Sequence, residues 1–187
     1  MSNQTSQKGN LVLYVARISL ILLLITACVA AALAGVNAIT APKIAENTAR
    51  KTQEAIEAVL PGGGEEVDFV DNTGLVSVVY KGESGYAVQV APMGFNGAIT
   101  MMVGVDFEGN ILGISVISQA ETAGLGAVCA EKTSKGEEFR GQYVGMSGTL
   151  AVDKDGGEVA SITGATISSR AVTAGINAAL ECVANMG

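Results

Sequence analysis

The stretch Ser161-Ile162-Thr163-Gly164-Ala165-Thr166-Ile167-Ser168-Ser169 is dense in hydroxyl side chains around a single glycine. It leads into residues 167–186, where Val172, Ile176, Ala179, Leu180 and Val183 recur at helical spacing. The entry of a helix leaves backbone N–H groups unpaired at the positive end of its dipole. A hydroxyl- and glycine-rich entry therefore suits either ordinary capping or the binding of a phosphate, and spacing alone favours capping. A second stretch, Glu121-Thr122-Ala123-Gly124-Leu125-Gly126, combines an acid with two glycines that permit close backbone approach. Taken alone, it is equally consistent with Glu121 capping a helix that begins near Leu125.

Other chemistries are removed by what the chain lacks. It has no histidine, which excludes His-ligated zinc, His-ligated haem and any Ser-His or Cys-His catalytic pair. Cys28, Cys129 and Cys182 show no C-x-x-C spacing and are too few for a four-thiolate iron-sulfur cluster. Cys129 and Cys182 read as small buried hydrophobes, with a disulfide as the alternative in an oxidising compartment. A net charge of -7 excludes a nucleic-acid surface, which needs a basic stripe against the phosphates. No residue is assigned as catalytic and none as a metal ligand; Asp153, Asp155 and Gly156-Gly157 read as a solvated turn.

The elements that must position these stretches follow from hydrophobic patterning. Residues 18–36 carry no charge and are long enough to cross a bilayer core of ~30 Å. Residues 11–16 extend that run, and Arg17 can snorkel to the headgroups. A lipoprotein signal ending at Ile25-Thr26-Ala27-Cys28 is the competing reading, although the apolar run continues well past Cys28. The basic residues flanking the run (Lys8 and Arg17 before, Lys43, Arg50 and Lys51 after) nearly balance. A long C-terminal tail translocates largely regardless of charge, and the expected topology has the N-terminus in the cytoplasm.

Residues 40–60 predict a helix leaving the membrane, with Glu46, Arg50 and Glu54 as i,i+4 neighbours of opposite charge, ended by Pro61-Gly62-Gly63-Gly64. Strands are expected at 75–81, 86–91, 98–106 and 111–118. The last two flank Asp106-Phe107-Glu108-Gly109-Asn110, a hairpin turn in which Gly109 can take positive φ. Apolar residues on both faces (Ile99, Met101 and Val103 on one, Met102 and Val105 nearby) predict a sheet covered by helices, with both methionines in the core. The fold class is α+β: one N-terminal transmembrane helix, then a mainly antiparallel sheet with flanking helices.

Residues 163–169 resemble the [ST]-G-A-T flavinylation motif of the FMN-binding domain family. Glu121 to Gly126 is similar to that family's E-T-x-G-L-G loop, which lies against the flavin. Gly85-Tyr86 and Met93-Gly94-Phe95-Asn96-Gly97-Ala98-Ile99 look like its glycine-rich strand and loop. The resemblance implies FMN joined by a phosphoester to Thr166, attached by a separate flavin transferase that uses FAD. It implies a cofactor pocket formed by Thr163, Gly164, Ala165, Ser168 and Ser169 with Glu121, Thr122, Gly124, Leu125 and Gly126. Phe95 and Tyr86 either border the flavin ring or only pack the sheet. The family often carries an acid three residues before the motif's first hydroxyl residue; here that position is Ala160, with Asp155 and Glu158 out of register.

Within the family, one short N-terminal membrane helix and a single FMN domain look most like the G subunits of ion-translocating ferredoxin:NAD oxidoreductase (Rnf) complexes. The resemblance implies an electron relay embedded in membrane lipid, with the other membrane and peripheral subunits of such a complex as partners. The alternatives are a stand-alone anchored FMN carrier for an extracytoplasmic reductase, or a non-redox lipoprotein that binds a free ligand. The expected division is a cytoplasmic segment 1–10, a transmembrane helix 11–37, a juxtamembrane helix and linker 38–64 and an extracytoplasmic FMN-binding domain 65–187.

Overall fold

The computed structural model describes the backbone of residues 3–186 and the side chains of residues 13–186. Its first element, α1 (Asn3–Val59), is one continuous helix, where the sequence predicts a membrane helix and a second helix after it. Residues 1 and 2 of the expected N-terminal segment lie outside the described residues, and residues 3–10 are already helical. Pro42 stands inside α1. A proline removes one backbone donor and disturbs one turn. The Ala-, Glu-, Lys- and Gln-rich sequence beyond Pro42 favours helix strongly enough to carry the element through.

The chain divides into two units, residues 1–47 and 48–187. In the first, every side chain from Leu13 onward is exposed, and the apolar length of helix satisfies the requirement for a membrane span. Cys28 lies in the middle of that helix, exposed. Glu46 pairs with Lys43 at 3.0 Å rather than with Arg50, and Arg50 pairs with Glu54 at 2.8 Å in the second unit.

The second unit is built on five antiparallel strands in the order β1-β2-β3-β4-β5. These are β1 (Glu65–Val67), β2 (Val76–Lys81), β3 (Gly85–Val90), β4 (Thr100–Asp106) and β5 (Ile111–Ser118). Four of them match the predicted runs. The fifth, β1, is too short and too acidic to carry an alternating pattern. The β4–β5 hairpin closes as expected: the Asp106 carboxylate accepts from the backbone of Glu108 and Asn110, and Gly109 takes φ +86°.

Both faces of the sheet are covered. On one face Ile99, Met101, Val103 and Val105 join a core completed by α3 (Thr166–Ala184), chiefly through Val172, Ile176 and Ala179. Val105 lies on this face with Met101 and Val103, as the two-residue period of a strand requires. On the other face Met102, Ala87 and Ile117 pack against Ala55, Ile56, Val59 and Leu60, where α1 ends. The close approach there needs Gly104, because a Cβ would stand 2.5 Å from the Val59 carbonyl oxygen. Pro61-Gly62-Gly63-Gly64 follows the end of the helix, as predicted, and leads into β1.

A short helix α2 (Ser134–Gly141), which the strand and helix patterns miss, follows a 3₁₀ turn at Gly126–Ala130. Its signal was the capping threonine: Thr133 Oγ1 accepts from Gly136 N at 3.4 Å. After α2 comes Tyr143, fully buried and edge-on to Phe139. The Thr173 hydroxyl donates to the Ser169 carbonyl at 2.9 Å, so the 2.8 Å contact between Tyr143 and Thr173 has the tyrosine as donor. Burial pushes the Tyr143 phenol up to about 12. This pair fixes α3 beyond its first turns.

Candidate functional site

The segment entering α3 is held by side chains rather than by a sheet partner. Gln142 accepts from Ala160 N at 2.8 Å and donates to its carbonyl at 3.3 Å. Asp153 accepts from Ser161 N at 3.1 Å, and Ser169 Oγ accepts from Ile162 N at 2.9 Å. Three consecutive N–H groups are thus taken by three separate elements. Asp155 adds a two-point bridge to Arg170 in the second turn of α3, at 2.7 Å and 2.5 Å. The aspartates do belong to a turn, as expected, but one that clamps the mouth of α3. Hydrogen bonding from Ser161 holds the Asp153 carboxyl down at about 2, and Arg170 lowers that of Asp155.

Within the motif, Gly164 takes φ +78° and lets the chain swing into the helix. The N-cap is Ala165, which has no capping side chain. Thr163 is therefore not the cap, and Thr166 is the first helical residue, half-buried. The first intrahelical bond runs from Ser169 N to Ala165 O. This leaves the N–H groups of Thr166, Ile167 and Ser168 as the free donors of the helix start.

These residues open on a cavity of about 410 Å³ lined by Phe95, Glu121, Thr122, Leu125, Gly126, Gly164, Ala165, Thr166, Ile167 and Ser168. The T-G-A-T and E-T-A-G-L-G stretches, far apart in sequence, form one wall each. Phe95, Leu125 and Ile167 supply apolar surface that is 66%, 42% and 49% exposed. Phe95 borders the cavity, whereas Tyr86 is buried and packs edge-on against Phe107.

Glu121 does not cap the turn after Leu125. Its Oε2 accepts from Ser168 Oγ at 2.6 Å and its Oε1 from Asn96 N at 3.0 Å, while Asn96 Nδ2 donates to Thr122 Oγ1 at 3.2 Å. The carboxylate fits between two glycines: a Cβ on Gly94 would come within 2.5 Å of Oε1, and one on Gly126 within 2.5 Å of Oε2. Glycine at these two positions makes room for the acid. Gly124 is different, with open space around it and φ +73°, so glycine there serves the turn.

Three expected pocket residues lie outside the cavity lining. The Ser169 hydroxyl is fully buried and donates to Ala165 O at 3.0 Å, which shapes the helix start. Thr163 and Gly124 line a second cleft, also about 410 Å³, on the side of Lys135 and Gln142. A larger groove of about 780 Å³, lined by Phe107, Ser147, Asn177 and Glu181 among others, contains none of the expected site residues. Cys129 and Cys182 are buried free thiols, and burial, then the charge of Glu121, pushes the Cys129 thiol up to about 11.

A helix start with free N–H donors, a hydroxyl in its first position and apolar walls beside it fits a phosphorylated aromatic cofactor. Residues 94–181 match the FMN-binding domain family, and residues 15–59 match the RnfG N-terminal region. Fold, cavity and matches together define a flavoprotein of the FMN-binding domain class.

The chain is 33% identical to the G subunit of the Na(+)-translocating ferredoxin:NAD(+) oxidoreductase complex of Acetobacterium woodii, over 91% of this chain and 92% of the relative. It is 32% identical to the G subunit of the ion-translocating oxidoreductase complex of Methanosarcina acetivorans, over 90% of this chain and 94% of the relative. It is 37% identical to the protein of the same description from Cronobacter sakazakii, over 73% and 74%. The chain belongs to the family of G subunits of ion-translocating oxidoreductase complexes.

Proposed function

We propose that this chain is the membrane-anchored FMN subunit of an Rnf-type ion-translocating ferredoxin:NAD oxidoreductase, relaying electrons through a flavin joined covalently to Thr166. The observation that carries the reading is the meeting of the T-G-A-T and E-T-A-G-L-G stretches on one cavity at the start of α3. FMN supplies the electron-transfer chemistry when bound; the protein supplies position, burial and electrostatics. The N–H groups of Thr166, Ile167 and Ser168 and the helix dipole hold the phosphate. Phe95, Leu125 and Ile167 give the ring an apolar bed. The Thr166 hydroxyl would be the atom that a transferase using FAD joins to the FMN phosphate, with AMP and the hydroxyl proton as the leaving species.

The uncharged part of α1 is anchored in lipid, with the N-terminus cytoplasmic and residues 48–187 outside the cytoplasm. Uninterrupted helix through and beyond Cys28 supports an anchor over a cleaved lipoprotein signal. The other Rnf subunits are the electron partners. Mild solubilisation of membranes and purification through a tag on this chain tests the whole reading. It should yield the other redox subunits and a band of this chain that still fluoresces as flavin after denaturation. Recovery of the chain alone, without fluorescence, would contradict it. Protease added to spheroplasts should cut within residues 48–187; cutting only in inverted vesicles would reverse the orientation.

A further inference from the structure

Among the described residues, Glu121 is the only charged side chain in the buried interior, at 9% exposure. The described ion pairs are Lys43–Glu46, Arg50–Glu54, Lys154–Asp153 and Arg170–Asp155, and Glu121 belongs to none of them. Its two oxygens accept from a backbone N–H and a serine O–H, both neutral donors. Such a set gives each carboxylate oxygen one donor without neutralising its charge. Hydrogen bonding alone does not call for an acid here. A neutral amide could accept from Asn96 N through its oxygen and donate to Ser168 Oγ, whose hydroxyl would turn to accept, and capping is excluded by the geometry. The carboxylate also forms part of the wall of the Thr166 cavity.

We propose that Glu121 is an electrostatic positioning residue: its negative charge, paired with no cation among the described residues, opposes electron uptake by the flavin in this cavity and holds the flavin's potential low. The proposal rests on the FMN reading above. Each electron accepted adds one negative charge to the ring unless a proton from solvent comes with it. A like charge fixed in a half-buried wall makes that addition less favourable. The same charge is felt in the core behind the wall, where, after burial, it helps raise the Cys129 thiol.

The test is an equilibrium redox titration of the FMN-loaded protein with dithionite and ferricyanide, followed by flavin absorbance. It compares the native chain with Glu121→Gln and Ser168→Ala. Glu121→Gln keeps the shape between Gly94 and Gly126 and removes the charge. It should raise the potential, with the reduced-to-oxidised ratio at a fixed ambient potential increasing on the order of tenfold. Ser168→Ala keeps the charge and should give no rise.

An unchanged potential in Glu121→Gln, or an equal rise in Ser168→Ala, overturns the proposal. If Glu121→Gln fails to accumulate, a rise in Ser168→Ala alone still overturns it. Intact mass of the native chain separates this from the attachment reading. If the flavin proves not to be covalent, that reading falls, and the same titration on protein loaded with free FMN decides the role of Glu121. Protein that takes up FMN in neither form overturns both.

Discussion

The Ser168 hydroxyl donates to the Glu121 carboxylate at 2.6 Å, tying the first turn of α3 to a loop forty-seven residues earlier. Both side chains are buried, so the bond is shielded from competing water. A hydrogen bond to a charged acceptor contributes more than a neutral one, and leaving a buried acceptor short of a donor is costly. Ser168→Ala should therefore destabilise the domain by about 2 kcal/mol. Urea unfolding followed by circular dichroism, with the m-value unchanged, would measure it.

The glycines around the site separate into two kinds by what surrounds them. Gly94→Ala puts a methyl 2.5 Å from Glu121 Oε1 and must displace the carboxylate, at about 1–3 kcal/mol. Gly124→Ala meets open space and bears only the strain of φ +73°, at about 1–2 kcal/mol. Stability alone does not distinguish them. The absorbance spectrum of bound flavin does, and it should change in Gly94→Ala and stay close to native in Gly124→Ala.

The clamp at the mouth of α3 carries a pH signature. The Asp153 carboxyl is held at about 2 in the folded state, below its ordinary value of 3.8. A folded-state value below the unfolded one means stability that is complete above about pH 4 and lost as pH falls toward 2. Asp153→Asn should accordingly be less stable than the native chain at pH 6, and the gap should close near pH 2. Paired urea melts at the two pH values check this. The Asp155–Arg170 pair shifts in the same direction, and Asp155→Asn should behave alike.

Patterning was enough for four strands, the β4–β5 hairpin and the last helix, because each announces itself within a few residues. Period two, a Gly109 turn and the stripe Val172, Ile176, Leu180 are local signals. What stayed hidden depends on partners distant in sequence. Nothing near Glu121 says that its oxygens go to Asn96 and Ser168, and nothing near Ala160 says that Gln142 takes both its backbone groups. The continuity of α1 was missed because Pro42 is a local breaker that the strong helix formers beyond it outweigh. The two motif stretches meet on one cavity, but not every residue expected there lines it. Ser169 turned inward, Thr163 and Gly124 went to the neighbouring cleft, and Phe95 rather than Tyr86 reached the wall.

Attachment at Thr166 is tested most directly by intact mass and in-gel flavin fluorescence of denatured protein, for the native chain and for Thr166→Ala, Thr163→Ala and Ser168→Ala. Thr166 is the first helical residue rather than the cap, so losing its hydroxyl should alter stability by no more than about 0.5 kcal/mol. Only Thr166→Ala should lose both the fluorescence and the added mass of FMN less water, while remaining folded and membrane-inserted. Covalent flavin that persists in Thr166→Ala and disappears in Thr163→Ala or Ser168→Ala would contradict the assignment.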